Sequence, residues 1–295
     1  MGRVRQTVAA DYGNARRREA AAVGGALPGG GSLRYRMDMV PGHADLGAEG
    51  ILLAGAGRAI LLQLANPAIG HGVAEHTSFI ERPVDRLRNT LTYVYAIVYG
   101  TDGQVKAVRR RVNRAHAPVR RDPDETSQGY SAFDADAQLW VVATLYDTAA
   151  TIYERIYGPL DDETADYMYR DYAKLGTALQ LPAELWPADR EAFGAYYNGR
   201  LQSLTADDAA IRVAHGLLHP KDGPLWYRAI MPLARFLTAG FLPDHLRQEF
   251  GLPWSAGHGR RFDLTMRCTA VVYPRLPQRI RHWFKNYCLG QLDAA

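Results

Sequence analysis

Helical periodicity is the feature of this sequence that most restricts its fold. From about Asp45 onward, apolar residues recur every three or four positions, and the alternation typical of half-buried strands is nearly absent. The spacing predicts helices at roughly 46–66, 84–99, 104–120, 134–157, 162–180, 188–203, 206–218, 223–238 and 275–289. Asp134 and Asp161 are expected to cap the helices that follow them. The sequence therefore predicts an all-α protein.

The amino-terminal segment has a different composition from the rest of the chain. Residues 1–31 are rich in Arg and Ala and end in a run of three glycines, so we expect a flexible arm. Over the whole chain, 47% of residues are hydrophobic and 22% charged, which is typical of a globular protein. We therefore predict a single helical domain over residues 32–295.

Charge and targeting signals restrict the partners. The 35 Lys and Arg exceed the 31 Asp and Glu by only +4, so nothing demands nucleic-acid binding, and none is predicted. Residues 1–23 contain no apolar signal core. The longest apolar run, 51–65, is interrupted by Arg58 and Gln63 and predicts a buried helix in which the small residues of LLAGAG (52–57) allow close packing. We expect a cytoplasmic protein without stable membrane insertion.

The two cysteines also favour a cytoplasmic protein. Cys268 and Cys288 are the two cysteines of the chain, and they form no CxxC motif. A disulfide scaffold and a cysteine-based zinc site are therefore excluded, and free thiols in a reduced compartment are expected.

Two predicted helices, 84–99 and 104–120, are joined by four residues, which favours an antiparallel pair. Arg86 lies about 15 residues before the turn and His116 about 14 after it, so at about 1.5 Å per residue they reach nearly the same height. Thr90 shares the face of Arg86. We expect these side chains to border two apolar stripes, Leu87, Leu91, Val94 and Val98 on the first helix and Val105, Val108, Val112 and Val119 on the second.

An inward histidine opposite an Arg/Thr pair has two interpretations. His116 can be a core residue bonded to a carbonyl group, with Arg86 paired to Asp85 or Glu81. It can also be a metal or haem ligand, with Arg86 and Thr90 supplying polar groups on the opposite side. The residues by themselves leave both open.

Several short motifs follow one another between residues 83 and 154: DRLRNT at 85–90, YGT at 99–101, VNRAHAPVR at 112–120, YSAFD at 130–134, LW at 139–140, ATL at 143–145 and YE at 153–154. Their order and spacing resemble the oxygenase family that contains latex clearing protein (rubber oxygenase) and the MpaB-type oxygenases. The resemblance covers roughly residues 45–245.

The resemblance implies a globin-like helical core that holds a b-type haem. It implies that His116 ligates the iron, and that Arg86 and Thr90 are catalytic donors to bound oxygen or peroxide. Arg120, expected one turn beyond His116, is a candidate partner of a haem propionate. Asn89 occupies the position of a lysine that can ligate the iron in rubber-cleaving members. Since Asn is a poorer iron ligand, an open sixth position is predicted.

Other histidines are weaker candidates. His76 is a candidate pocket residue, but its spacing of five from His71 places the two rings about 140° apart on a helix and disfavours joint ligation. His215 and His219 have the spacing of a helical metal pair, although surface histidines are the simpler interpretation. Trp140 and Phe133 are expected to pack in the core, and the Asn66-Pro67 pair departs from the His-Pro expected in many relatives.

The leading hypothesis is therefore a haem b-dependent oxygenase or oxidase that acts on a small hydrophobic molecule. Molecular oxygen or peroxide would be the oxidant, with an electron donor where the reaction needs one. Two alternatives remain open at this stage: a haem-free helical enzyme that uses Arg86, Thr90 and His116, and a helical binding or regulatory protein with a basic arm.

Overall fold

The computed structural model describes residues 43–76, 83–123, 129–222 and 224–293. Over these residues the protein is all-α, as predicted, with thirteen α-helices and one pair of two-residue strands. The flexible arm predicted at residues 1–31 lies outside the described residues. The globin-like arrangement of the core and the boundary at residue 32 stay predictions.

The helices follow one another along the chain with short connections. Two 3-10 segments, His43–Ala48 and Gly50–Gly55, open the described region. The α-helices are α1 (Ala56–Leu64), α2 (Pro67–Glu75), α3 (Pro83–Tyr99), α4 (Asp102–His116), α5 (Ala135–Tyr157), α6 (Asp162–Ala178), α7 (Arg190–Ser203), α8 (Asp208–Leu218), α9 (Leu225–Phe241), α10 (Asp244–Glu249), α11 (Ala256–Val272), α12 (Gln278–Arg281) and α13 (Trp283–Asp293). Strands β1 (Arg120–Arg121) and β2 (Tyr130–Ser131) pair antiparallel between α4 and α5.

The predicted helix caps are confirmed. Asp134 accepts a hydrogen bond from the Ala137 amide at the start of α5, and Asp161 does the same for the Thr164 amide at the start of α6. These carboxylates satisfy backbone donors that have no partner inside the helix.

The single helix predicted at 46–66 is wrong at its start, whereas its predicted end lies within two residues of Leu64, where α1 ends. The chain is 3-10 up to Gly55, and α1 is only nine residues long. Pro67 cannot donate a backbone hydrogen bond, so α1 ends before it and α2 begins there, capped by Asn66. Close packing by small residues is confirmed, since a Cβ atom on Gly57 would lie 1.9 Å from Thr238 Oγ1 of α9.

Helices α10 and α11 were missed. Helix α11 buries Phe262 and Met266 but also exposes Leu264, Val271 and Val272 on its other side. Apolar residues on both sides hide the helical period, which depends on one polar face.

Helix α5 lies at the centre of the protein. It packs against α1, α6 and α11, and its buried residues include Trp140, Tyr146 and Tyr153. Trp140 stacks on Tyr197 of α7 at 5.4 Å, and Tyr146 makes an edge contact with Phe193 of α7 at 4.9 Å. Aromatic pairs of this geometry add to the stability that their burial provides.

A buried ion pair joins α1 to α5. Arg58 lies 2.5 Å from Asp147, and both side chains are almost fully buried. The Arg58 guanidinium also donates to Thr148 of α5 (2.7 Å), Tyr197 of α7 (3.3 Å) and the carbonyl oxygen of Phe241 in α9 (3.0 Å). One arginine thus contacts three helices besides its own.

A second buried network surrounds Glu49, which is fully buried between the 3-10 segments. Its carboxylate oxygens lie 2.5 Å from Arg281, 3.0 Å from His282 and 2.8 Å from the Tyr157 hydroxyl. Burial and the Glu49 charge together raise the pKa of Tyr157, which stays protonated and donates. The network attaches the α12 end of the chain to the start of the described region.

Within the described ranges no single helix is long and apolar enough to cross a membrane. The apolar pair formed by residues 50–64 and 67–75 is bent by 102°.

We expect Arg58→Met to lower the free energy of unfolding by about 3–5 kcal/mol, because it leaves the buried Asp147 carboxylate without its counter-charge. Urea unfolding followed by circular dichroism measures the change. Arg200→Met is the matched control, since Arg200 pairs with the exposed Asp136 and its loss should cost less than about 1 kcal/mol. Equal effects of the two substitutions would contradict a central role for Arg58.

Candidate functional site

Helices α3 and α4 form the predicted hairpin. The connection between the two helices is only two residues long, Gly100 and Thr101. Thr101 and Gln104 form a reciprocal capping box at the start of α4. Gln104 also donates to Asp293 of α13. The hairpin therefore has a defined geometry at its turn, and Arg86 and His116 lie at the opposite end.

His116 is the last residue of α4, and its ring is half-buried. Phe133 approaches the ring edge-on at 6.3 Å between centroids. Burial and the positive charge of Arg86 both lower the pKa of His116 below its ordinary value. The site therefore favours the neutral imidazole, which is the form that ligates metals.

Two buried polar atoms on α4 have no hydrogen-bond partner in the described structure, His116 Nδ1 and Asn113 Oδ1. They belong to residues three apart, which are neighbours on a helix surface. Buried polar groups without partners are rare and call for an explanation. The sequence analysis did not single out Asn113 as a site residue. Its position three residues before His116, on the same side of the helix, could have indicated it.

Arg86 lies on α3 and is half-buried, which lowers its pKa. The apolar stripe expected beside it is confirmed in part: Val94 and Val98 pack against the core, whereas Leu87 is 40% exposed. The buried residues of α3 include Thr92, Tyr93, Tyr95 and Ala96. Tyrosine was not counted as apolar in the prediction. Its ring can pack in the core while its hydroxyl finds a partner, as Tyr93 does at the Leu175 carbonyl oxygen.

Thr90 and Asn89 differ in their surroundings. Thr90 is exposed, and its hydroxyl makes no hydrogen bond to any described residue. The amide oxygen of Asn89 accepts a hydrogen bond from Arg111 of α4 at 2.6 Å. Asn89 thus links the two helices of the hairpin.

Arg120 is not on the helix of His116, contrary to expectation. Helix α4 ends at His116, and Arg120 is an exposed residue of β1 that pairs with Ser131. Ala117 still has helical backbone angles, but Pro118 has no backbone N–H to continue the helical hydrogen bonds, so the chain leaves the helix there. Arg120 therefore does not lie one helical turn beyond His116.

The β1–β2 hairpin is attached to α2 by Glu75. Tyr130 donates to this carboxylate at 2.8 Å and Arg121 at 3.0 Å, which together lower the pKa of Glu75. Burial and Glu75 raise the pKa of Tyr130 to about 12. The hairpin thus follows the position of α2.

His76 holds backbone carbonyls in place. Its Nδ1 lies 2.8 Å from the Gly72 oxygen and its Nε2 lies 3.1 Å from the oxygen of Pro118, two residues after His116. Each nitrogen lies within hydrogen-bond distance of a carbonyl oxygen, and which of the two donates depends on the tautomer of the ring. His71 is paired with Asp207 at 2.7 Å, so the imidazole rings of His71 and His76 have different hydrogen-bond partners.

Of the two aromatic residues expected in the core, Trp140 is fully buried as predicted, whereas Phe133 is 43% exposed and lies against His116. No group of three or more His, Cys, Asp or Glu that could hold a metal ion occurs among the described residues. His215 and His219 stack at 4.5 Å between ring centroids. The described site thus offers one half-buried imidazole beside one half-buried guanidinium.

The described part of the protein is all-α and places a half-buried histidine and a half-buried arginine at one end of a helical hairpin. The chain belongs to the family described as ER-bound oxygenase mpaB/B'/rubber oxygenase, catalytic domain, whose model matches residues 44–271. This match confirms the predicted resemblance and supports an oxygenase activity.

Two mycobacterial proteins are similar to this chain over most of its length. They are the uncharacterized protein Rv2237 of Mycobacterium tuberculosis and the uncharacterized protein Mb2261 of Mycobacterium bovis. Each is 35% identical over 239 residues, which cover 79% of this chain and 92% of the relative. No solved structure matches the chain significantly.

We expect His116 to titrate below the ordinary histidine pKa of about 6.5 in protein prepared without haem. Arg86→Gln should raise the His116 pKa, because it removes a positive charge that opposes protonation. Since the folded pKa is depressed, the associated stability is present above about pH 6.5 and is lost as pH falls through the folded pKa. NMR titration of the histidines measures the His116 pKa in the wild type and in Arg86→Gln. An unchanged His116 pKa in Arg86→Gln would show that the Arg86 charge does not act on the imidazole.

Proposed function

We propose that this protein is a haem b-dependent oxygenase in which His116 is the protein ligand of the iron. The observation that carries the proposal is the environment of His116 in a chain of an oxygenase family. The imidazole is half-buried, its pKa is lowered by burial and by Arg86, and its Nδ1 has no partner among the described residues.

The residues present fit such a group. A haem iron takes four nitrogen ligands from its porphyrin and needs one imidazole from the protein. One neutral histidine is therefore sufficient, whereas a protein-only metal centre would need several ligands close together. A bound haem supplies iron redox chemistry with oxygen or peroxide, which side chains by themselves cannot provide.

Arg86 is proposed as the electrostatic donor of the site. Its guanidinium is half-buried beside His116, and a charged donor is worth more in a partly desolvated site than in water. Negative charge develops on the oxygen atoms of the co-substrate during reduction, and a fixed cation stabilises that charge. The exposed Thr90 hydroxyl, four residues along α3, is proposed to add a hydrogen bond.

The remaining candidates receive different roles. Asn89 is bonded to Arg111, so we propose that it supports the α3–α4 hairpin and does not itself ligate the iron. His76 is proposed to hold the Pro118 turn behind His116 and not to contact the cofactor. Arg120 carries no proposed role.

The substrate is proposed to be a small hydrophobic molecule, oxidised with molecular oxygen or peroxide. The family supports an oxygenase, and a protein that only binds or regulates is disfavoured on that ground. A haem-free enzyme that uses the same polar residues is the alternative that the following experiments test.

We expect haemin to bind the wild-type protein and to produce the Soret band of a histidine-ligated haem. His116→Ala should lose most of the bound haem, because the iron loses its protein ligand. Absorbance titration with haemin and a pyridine haemochrome assay measure the change. The matched control is His71→Ala, which removes a histidine paired with Asp207 and should keep the haem.

Two outcomes would contradict the proposal. A wild-type protein that stays colourless with added haemin would favour the haem-free enzyme. A His116→Ala variant with full haem content and an unchanged spectrum would show that another residue ligates the iron.

For Arg86→Ala we expect retained haem and fold, with turnover lowered by about a hundredfold or more, the scale of losing one preorganised donor. Arg86→Lys should restore little, because an ammonium does not reproduce the planar guanidinium. Haem content, melting temperature and peroxide-dependent oxidation of a chromogenic phenol are measured on the same preparations. Loss of haem with unchanged activity per haem would instead make Arg86 a cofactor-binding residue.

A further inference from the structure

Exposed apolar side chains are concentrated in the last quarter of the chain. Of the thirteen large hydrophobic residues that are exposed in the described structure, ten lie between residues 225 and 287. Single exposed hydrophobic residues are normal on any protein, whereas a concentration of them marks an interaction surface.

Helix α9 presents a continuous apolar face outward. At 100° per residue, its exposed large residues fall within an arc of about 140°. They are Leu225 (80% exposed), Trp226 (61%), Ile230 and Leu233. Met231, Thr238 and Ala239 are buried on the opposite side, so the orientation of the helix leaves this face uncovered.

Helix α11 presents an outward face of a related kind. Leu264, Val271 and Val272 are exposed on the side opposite the buried Phe262 and Met266. The exposed residues Arg260, Arg261 and Arg267 fall in the same arc. The two helices pack against each other, with Phe262 of α11 contacting Phe236 and Phe241 of α9.

Positive charge is also concentrated in this part of the chain. Residues 224–293 contain ten Lys and Arg and four Asp and Glu, a net charge of +6, whereas the whole chain carries +4. The rest of the chain is therefore slightly negative. The excess of positive charge and the exposed apolar residues therefore occur in the same quarter of the chain.

We propose that the outward faces of α9 and α11 form a docking surface for the surface of an anionic lipid bilayer. Apolar and tryptophan side chains enter the boundary between headgroups and acyl chains, and arginines between them reach the anionic headgroups. Each Lys or Arg close to such a surface adds to the attraction. Binding by these faces does not require a helix that crosses the bilayer.

The charge pattern favours lipid over a second copy of this chain. A twofold interface on the α11 face would bring Arg260, Arg261 and Arg267 towards the same residues of the other copy. Like charges placed together in an interface are costly. An anionic bilayer presents the opposite charge over the whole surface.

The experiment is co-sedimentation of the full chain with vesicles of phosphatidylcholine, with and without phosphatidylglycerol. We expect binding to the anionic vesicles at low salt, a marked loss at high salt, and little binding to phosphatidylcholine alone. Leu225→Ser/Trp226→Ser on α9 and Arg260→Glu/Arg267→Glu on α11 should each weaken vesicle binding by about tenfold or more.

Matched controls test whether vesicle binding depends on the faces of α9 and α11 or on exposed apolar and charged residues in general. Leu185→Ser and Arg212→Glu change exposed residues outside α9 and α11 and should bind vesicles like the wild type. Melting temperatures confirm that every variant folds, and the two helices are tested separately so that one unstable variant does not decide the result.

Three results would overturn the proposal. The first is no binding of the wild type to anionic vesicles. The second is unchanged binding by either surface double variant in its folded state. The third is a wild-type dimer, detected by light scattering, that the α9 or α11 variants dissociate, since the faces would then belong to a second copy. None of these measurements depends on whether haem binds.

Discussion

The buried Arg58–Asp147 pair is the interaction on which the arrangement of the helices depends. A guanidinium in a protein interior is tolerated only when its donors are matched by acceptors, and Arg58 finds them on α5, α7 and α9. The pair therefore defines the orientation of α1 against the central helix. Replacing either partner leaves a charge in a region that excludes water.

The position of α1 propagates to the candidate site through α2. Asn66 and Pro67 turn the chain between the two helices, and α2 then meets the β hairpin through Glu75 and the Pro118 turn through His76. Because this turn follows directly on His116, the end of α4 is positioned by contacts that begin at Arg58. The site is thus supported from residues far from it in sequence.

The carboxyl-terminal helices support the same hairpin from the other side. Helix α13 packs against α3 and is joined to α4 by the bond between Gln104 and Asp293, while the Glu49 network attaches α12. These helices lie beyond residue 271, where the family match ends. The hairpin that carries Arg86 and His116 therefore depends on a part of the chain outside the family domain.

The sequence by itself determined the helical class, the caps at Asp134 and Asp161, and the α3–α4 hairpin, because periodicity, capping and short connections are local properties. Tertiary structure decided what side chains meet across the molecule. It placed Arg120 outside the helix of His116, buried Tyr93 while Leu87 stayed exposed, and left the side-chain oxygen of Asn113 without a partner among the described residues. Such outcomes depend on which surfaces pack together. Packing is decided by contacts between residues far apart in sequence, so no single segment of the sequence predicts it.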